Sequence, residues 1–270
     1  MEPSLINHKI SNLDGAADWV LEQHNNGASY NSLPHSFGIT ALTDAYKIQE
    51  LVIKNWETSR GKVSGYKLAL TSKPIQKMCG MDHPCIGRVF QSMIKENNSD
   101  LKLGDFGRLG VEFELAIRIA SDMPRQSEPW TSRSVKENIK SICASFELVD
   151  DRNANYSNLD ACSLIADNSW SAGAVLAPET RQWGNFNFEN TIVTKIVNGV
   201  SESSITGAAL GSPLNSIAWV ANFLNETGSN LKENDIVMTG STFATFFPKP
   251  GDSLTYEVSG LESVQTNIYG

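Results

Sequence analysis

The 270-residue chain carries 30 acidic against 22 basic side chains, a net charge of −8. Nothing in it forms the basic patch that a phosphate backbone requires, so no nucleic-acid partner is expected. Its hydrophobic fraction of 40% and charged fraction of 19% suit a globular protein with one substantial core. No stretch has membrane-spanning length, and Met1 to Ile10 lacks a basic segment followed by an apolar run, so no membrane partner is expected. Cys79, Cys85, Cys143 and Cys162 form no C-x-x-C pair and read as reduced thiols of a cytoplasmic protein.

Ser11 to about Asn25 starts with Ser-x-x-Asp and spaces Leu13, Ala17, Val20 and Leu21 as a helix that Gly27 ends. A second helix, with Thr43 as N-cap, carries Ile48, Leu51, Val52 and Trp56 on one face as far as Gly61. Residues 1–60 are therefore expected to form a helical lead-in, a lid or brace on a catalytic domain at 61–270. Lys62 to Thr71 reads as a strand, and Ser72-Lys73-Pro74 starts a short helix that ends at Gly80. Met81 to Asp105 reads as loop.

In Val111 to Ile119 the apolar residues Val111, Phe113, Leu115, Ile117 and Ile119 fall at every second position, which is strand periodicity. Glu112 and Glu114 then share the other face, about 6.6 Å apart along the strand, close enough for two carboxylates to converge on one ion. The same pattern also fits a strand with one solvated face. A third acid, Glu147, lies in the strand-like run Ala144 to Arg152. Carboxylate-only ligation would favour Mg²⁺ or Mn²⁺, since zinc sites usually include Cys or His.

Thr131 to Ile142 reads as a helix, and Asn153 to Trp170 as an ordered crossing loop with a short helix. Ala172 to Leu176 and Thr191 to Val197 read as strands, the second closing on the hairpin signal Asn198-Gly199. Ser212-Pro213 starts an amphipathic helix that stops at Gly228, and strands follow at Asp235 to Thr239, Ser253 to Val258 and Ser263 to Tyr269. Strands outnumber helices after residue 60 without alternating with them, so the fold class is α+β with a mixed, curled β-sheet.

Taken in order, several runs resemble the fumarylacetoacetate hydrolase superfamily, and within it the branch of 2-oxopent-4-enoate hydratases and 4-oxalocrotonate decarboxylases. They are Gly65 to Ser72, Val111 to Leu115, Glu147 to Arg152, Ala166-Asp167-Asn168, Leu210 to Leu214, Met238 to Ser241 and Pro250-Gly251-Asp252. The resemblance spans nearly the whole chain and implies a β-roll and a homo-oligomer. It further implies that Glu112, Glu114 and Glu147 are ligands of a divalent ion, that Lys67 is the active-site lysine, and that Asp167 lies near the metal.

Two departures stand out. Cys85 occupies the position where the hydratases carry an acid and the decarboxylases an apolar residue, leaving Asp82 or His83 as stand-ins for proton transfer. The usual Gly-His-Pro is here Gly211-Ser212-Pro213. The backbone of Thr239-Gly240-Ser241 is a candidate for holding a substrate carboxylate, and a tight turn explains its glycine equally well.

The implied activity is that of a Mg²⁺-dependent hydratase acting on a small anionic 2-oxo or 2-hydroxydienoic acid such as 2-hydroxypenta-2,4-dienoate, through a metal-stabilised dienolate. Lys67, held near the ion, would transfer protons with a pKa lowered by like charge and desolvation. Decarboxylation of a 2-oxo-3-enedioate, C–C hydrolysis of an acylpyruvate, and a non-catalytic acid-binding role are the alternatives. Side chains of the lead-in and of Met81 to Met93 are expected to contact the far end of the substrate.

Overall fold

In the computed structural model, which describes residues 11–270, the chain opens on helices α1 (Leu13–Asn25) and α2 (Leu42–Arg60). The expectation for Met1 to Ile10 lies outside the described residues. Asn12 rather than Ser11 caps α1, accepting the Gly15 N–H, while the Ser11 hydroxyl donates to Asp44. Helix α2 starts after Ala41 rather than Thr43 and ends as expected at Gly61. Ala16, Ala17 and Val20 pack with Ile48, Val52 and Trp56 and against Phe90 and Ala166, which fastens the helix pair to the rest of the fold.

The remainder runs β1 (Val63–Ala69), α3 (Lys73–Met78), β2 (Cys85–Phe90), β3 (Ile94–Glu96), β4 (Leu101–Lys102), β5 (Leu109–Ile119) and β6 (Ile139–Asp150). Then follow α4 (Ala161–Ala166), β7 (Ser171–Leu176), β8 (Ile192–Val197), β9 (Val200–Ile205), α5 (Pro213–Glu226), β10 (Ile236–Met238), β11 (Ser253–Val258) and β12 (Val264–Tyr269). Seven strands form one mixed sheet in the order β2-β1-β10-β5-β6-β7-β3, and five form a second in the order β4-β12-β11-β8-β9. The α+β class and the curled mixed sheet stand. Phe113, Phe146 and Tyr256, all fully buried, meet in edge-to-face contacts where the two sheets pack together.

Two expected elements are corrected. The stretch from Met81 to Asp105 is not a loop, because it holds β2, β3 and β4, and β2 pairs with β1 along its whole length. Thr131 to Ile142 is not a helix: after a 3-10 turn at Ser134–Asn138, Ile139 already belongs to β6. Val135, Ile139 and Ile142 sit at helical spacing, but pairing of Ile139 with Ile119 and Ile142 with Ile117 overrides that local pattern. The Asn198-Gly199 hairpin forms as expected between β8 and β9, with both residues at positive φ. Ser212 caps α5 by accepting the Leu214 N–H. No helix among the described residues is long and apolar enough to cross a membrane.

Candidate metal centre and active site

The antiparallel register of β5 and β6 sets Glu112 directly opposite Glu147, and Glu114 follows two residues along the same face. One carboxylate oxygen from each of Glu112, Glu114 and Glu147 lies within 4.8 Å of the others. Glu114 and Glu147 are fully buried, so the face opposite the apolar stripe is an interior and not a solvated surface.

Strand β10 ends at Met238, which stands in register with both Lys67 on β1 and Ala116 on β5. Beyond that row the chain continues loosely along β5: Thr239 Oγ1 donates to Leu115 O, Thr242 Oγ1 to Phe113 O, and Phe246 exchanges backbone bonds with Val111. The opening left by the short strand is where Lys67 reaches the acids, its Nζ 2.7 Å from Glu147 Oε1 with only 3% of the side chain exposed. Gly87, paired with Lys67, leaves room for the Asn168 carbonyl, which a Cβ there would meet at 2.4 Å.

Glu114 Oε1 and Glu147 Oε2 are buried without a hydrogen-bond partner among the described residues. Burial, together with the Coulomb repulsion of Glu147 and Glu112, raises the Glu114 carboxyl well above its ordinary value. Glu147 is raised by burial against the opposing pull of Lys67. Buried carboxylates in this condition take up either a proton or a cation. Oxygens bound to one Mg²⁺ at about 2.1 Å lie at most about 4.2 Å apart, so rotamer-scale closure of the three side chains suffices. The donor set thus fits a hard divalent cation. Burial alone would lower the Lys67 pKa, but Glu147 and Glu112 reverse this and hold it above the ordinary lysine value. The expected lowering therefore requires a compensating positive charge on the acids.

Neighbouring groups orient the cluster. Gly240 N–H donates to Glu114 Oε2 at 2.8 Å, and the Thr245 hydroxyl donates to Glu112 Oε1. The Thr239 N–H and hydroxyl are taken up by Leu115 O, and Ser241 Oγ accepts the Phe113 N–H. Of the expected carboxylate-holding run, only Ser241 lines the open cavity, while Gly240 serves the glutamate instead. Thr245 had no motif to single it out beyond its nearness to Thr239-Gly240-Ser241.

Asp82, His83 and Asp167 are not part of the cavity lining. Asp82 is 95% exposed on the turn before β2. His83 stacks on Trp219 with its Nδ1 against Pro84 O, and neither it nor Asp82 lines the cavity. Asp167 is bound by His24 Nε2 and Arg152 Nη2, a buried tie between α1 and the segment after β6. Next to it Asn168, Ser169 and Trp170 all adopt positive φ, a strained run that presents Ser169 and Trp170 to the cavity. Cys85 is fully buried beside Ser169, and burial pushes its thiol up to about 11, so it is no thiolate nucleophile at neutral pH.

The cavity above Lys67 and Glu112 has a volume of about 420 Å³. Its walls come from the end of β1, α3, the segment around α4 and the 241–245 run. Among the described residues, the lead-in and Met81 to Met93 contribute none of the lining, contrary to expectation.

No protein-family model matches the chain. A 2-keto-4-pentenoate hydratase of Burkholderia vietnamiensis is 30% identical over 227 residues, covering 84% of this chain and 86% of that one. The "TodF product hydratase" of Pseudomonas putida is 28% identical over 250 residues, 92% of each chain. Among solved structures, the 4-oxalocrotonate decarboxylase of Pseudomonas putida G7 complexed with magnesium and adipate superimposes with a TM-score of 0.86. It shares 23% identity, over 95% of this chain and 97% of that one. Identity of 30% over 84% of its length, joined to the fold and the carboxylate cluster, means that the chain belongs to the 2-keto-4-pentenoate hydratase family.

Proposed function

We propose that the protein is a divalent-metal-dependent lyase that hydrates a short 2-hydroxydienoic acid of the 2-hydroxypenta-2,4-dienoate type to a 4-hydroxy-2-oxo acid. The observation that carries this reading is the convergence of Glu112, Glu114 and Glu147 within 4.8 Å beside the buried Lys67, in a chain of the hydratase family. Glu112, Glu114 and Glu147 would hold Mg²⁺, or Mn²⁺ in its place. When bound, the ion supplies Lewis-acid polarisation of the substrate's carboxylate and C2 oxygen.

The chain's own residues do the rest. Lys67 opens onto the cavity and exchanges the proton that converts the dienol to the conjugated enone, after which water adds at C4. Ser169, Ser241 and Thr245 line the same space with hydroxyls that can position the acid and the water. Gly240 and Thr245 orient Glu114 and Glu112, the kind of outer contact that tunes a metal site. In the same proposal residues 1–60 act as a brace, 61–270 carry the chemistry, and the chain forms a homo-oligomer, which light scattering measures. The replacement of the hydratases' acid by Cys85 favours one second reading, decarboxylation of a 2-oxo-3-enedioate.

The test supplies freshly generated 2-hydroxypenta-2,4-dienoate and, separately, 2-oxo-3-hexenedioate to the purified protein with Mg²⁺. Loss of dienol absorbance with a product heavier by one water supports hydration, whereas carbon dioxide from the dicarboxylate supports the second reading. Neither product, with Mg²⁺ or Mn²⁺ present, overturns both.

A further inference from the structure

The cavity is chemically two-sided. Its floor holds Lys67 and Glu112, the only charged side chains among the described residues that line it. The rest of the lining includes Leu70, Ile75, Met78, Leu159, Leu164 and Trp170, drawn from the end of β1, α3 and the segment around α4, with the hydroxyls of Thr71, Ser72 and Tyr156 among them. Ile75 and Met78 are 43% and 45% exposed, so apolar side chains reach the mouth of the cavity unburied. Of the nearby cations, Lys73 bonds to Gln76 and the Asp82 carbonyl, Arg108 bonds to Asp151 and the Ala154 carbonyl, and the exposed Lys77 of α3 is not part of the lining.

We infer that the preferred substrate carries an apolar substituent, alkyl or aryl, at the end remote from its carboxylate, and not a second carboxylate. The inference rests on the hydratase reading for the position of the reacting end, at Lys67 and the glutamates. A tail extending from there meets the apolar wall. A space of about 420 Å³ falls within the range of roughly 300–1,000 Å³ typical of cavities for drug-sized ligands, so a five-carbon acid leaves much of that wall uncovered. Each methylene laid against it is worth roughly a fourfold gain in kcat/KM. A distal carboxylate would lose its hydration without gaining a cation.

The experiment compares 2-hydroxydienoates ending in hydrogen, methyl, propyl and phenyl with the dicarboxylate, using the full chain and Mg²⁺. Binding is read separately from the shift in melting temperature produced by 2-oxobutanoate, 2-oxohexanoate, 2-oxooctanoate and 2-oxoadipate. The expected result is a rise in kcat/KM and in thermal shift along the apolar series, with the dicarboxylic acids at least roughly 100-fold weaker. Met78→Lys, a substitution at the exposed rim, should move the preference toward the dicarboxylate by about tenfold.

Flat series, or preference of the unaltered protein for the dicarboxylic acids, would overturn the inference. Turnover of the parent dienoate with a flat series fails the inference alone. Absence of all turnover with a rising thermal shift fails the hydratase reading and leaves the apolar wall supported.

Discussion

Lys67 Nζ lies 2.7 Å from Glu147 Oε1 although β10 and β5 stand between their strands in the sheet. The contact is possible because β10 is only three residues long and ends in register with Lys67. Replacing Lys67 by Met keeps most of the volume and removes the proton. The expected outcome is a fall in kcat of roughly 10²–10⁴ with Mg²⁺ binding retained, measured by dienol turnover and titration calorimetry.

Glu114 has one oxygen held by Gly240 N–H and the other buried without a partner among the described residues. Glu114→Gln should reduce Mg²⁺ affinity at least roughly 100-fold, with turnover falling in step. Unchanged turnover at limiting metal would remove Glu114 from the ligand set.

The pH dependence of the metal-free protein has a definite sign. Glu147 is raised by burial from 4.5 to about 7, and Glu114 is raised as well, so between these values the folded state binds more protons than the unfolded chain. Stability is therefore greatest below the unfolded value and is lost as pH rises through the folded one. Melting temperature in a chelator should fall between about pH 4.5 and 7. Added Mg²⁺ should restore it most strongly at the upper end.

Gly240 has φ +103°, and a Cβ there would stand 2.8 Å from Thr71 Cγ2. Gly240→Ala should cost about 1–3 kcal/mol in denaturant unfolding and weaken Mg²⁺ binding through the displaced bond to Glu114.

His83→Ala tests the opposite expectation. The ring stacks on Trp219 outside the cavity, so kcat/KM should change by no more than about twofold. A larger loss would bring His83 back as a proton donor.

What could be read from the residues follows physical range. The alternation around Glu112 and Glu114, the Ser212 cap and the Asn198-Gly199 hairpin are local patterns, and they stand in the fold. The facing of Glu112 and Glu147 needed the pairing of β5 with β6, which the resemblance supplied and spacing alone did not. Strand β2 escaped because Gly87 and Arg88 interrupt its apolar run, and Gly87 is there for the close approach of the Asn168 carbonyl. The tie between His24 and Asp167 spans 143 residues, and no local pattern announces it. The cavity wall was misplaced for the same reason: Leu159 and Leu164 look like ordinary core residues until the chain folds them over Lys67.

The wall and the floor of the cavity belong to different parts of the architecture. The acids and the lysine are framework residues, each locked by neighbours on long paired strands, whereas the apolar wall is built by short helices and the turns beside them. Selectivity can consequently drift by exchanging side chains on those short segments while the reacting centre is inherited intact. Laboratory evolution toward bulkier or smaller acids should accordingly begin at Ile75, Met78 and Leu159.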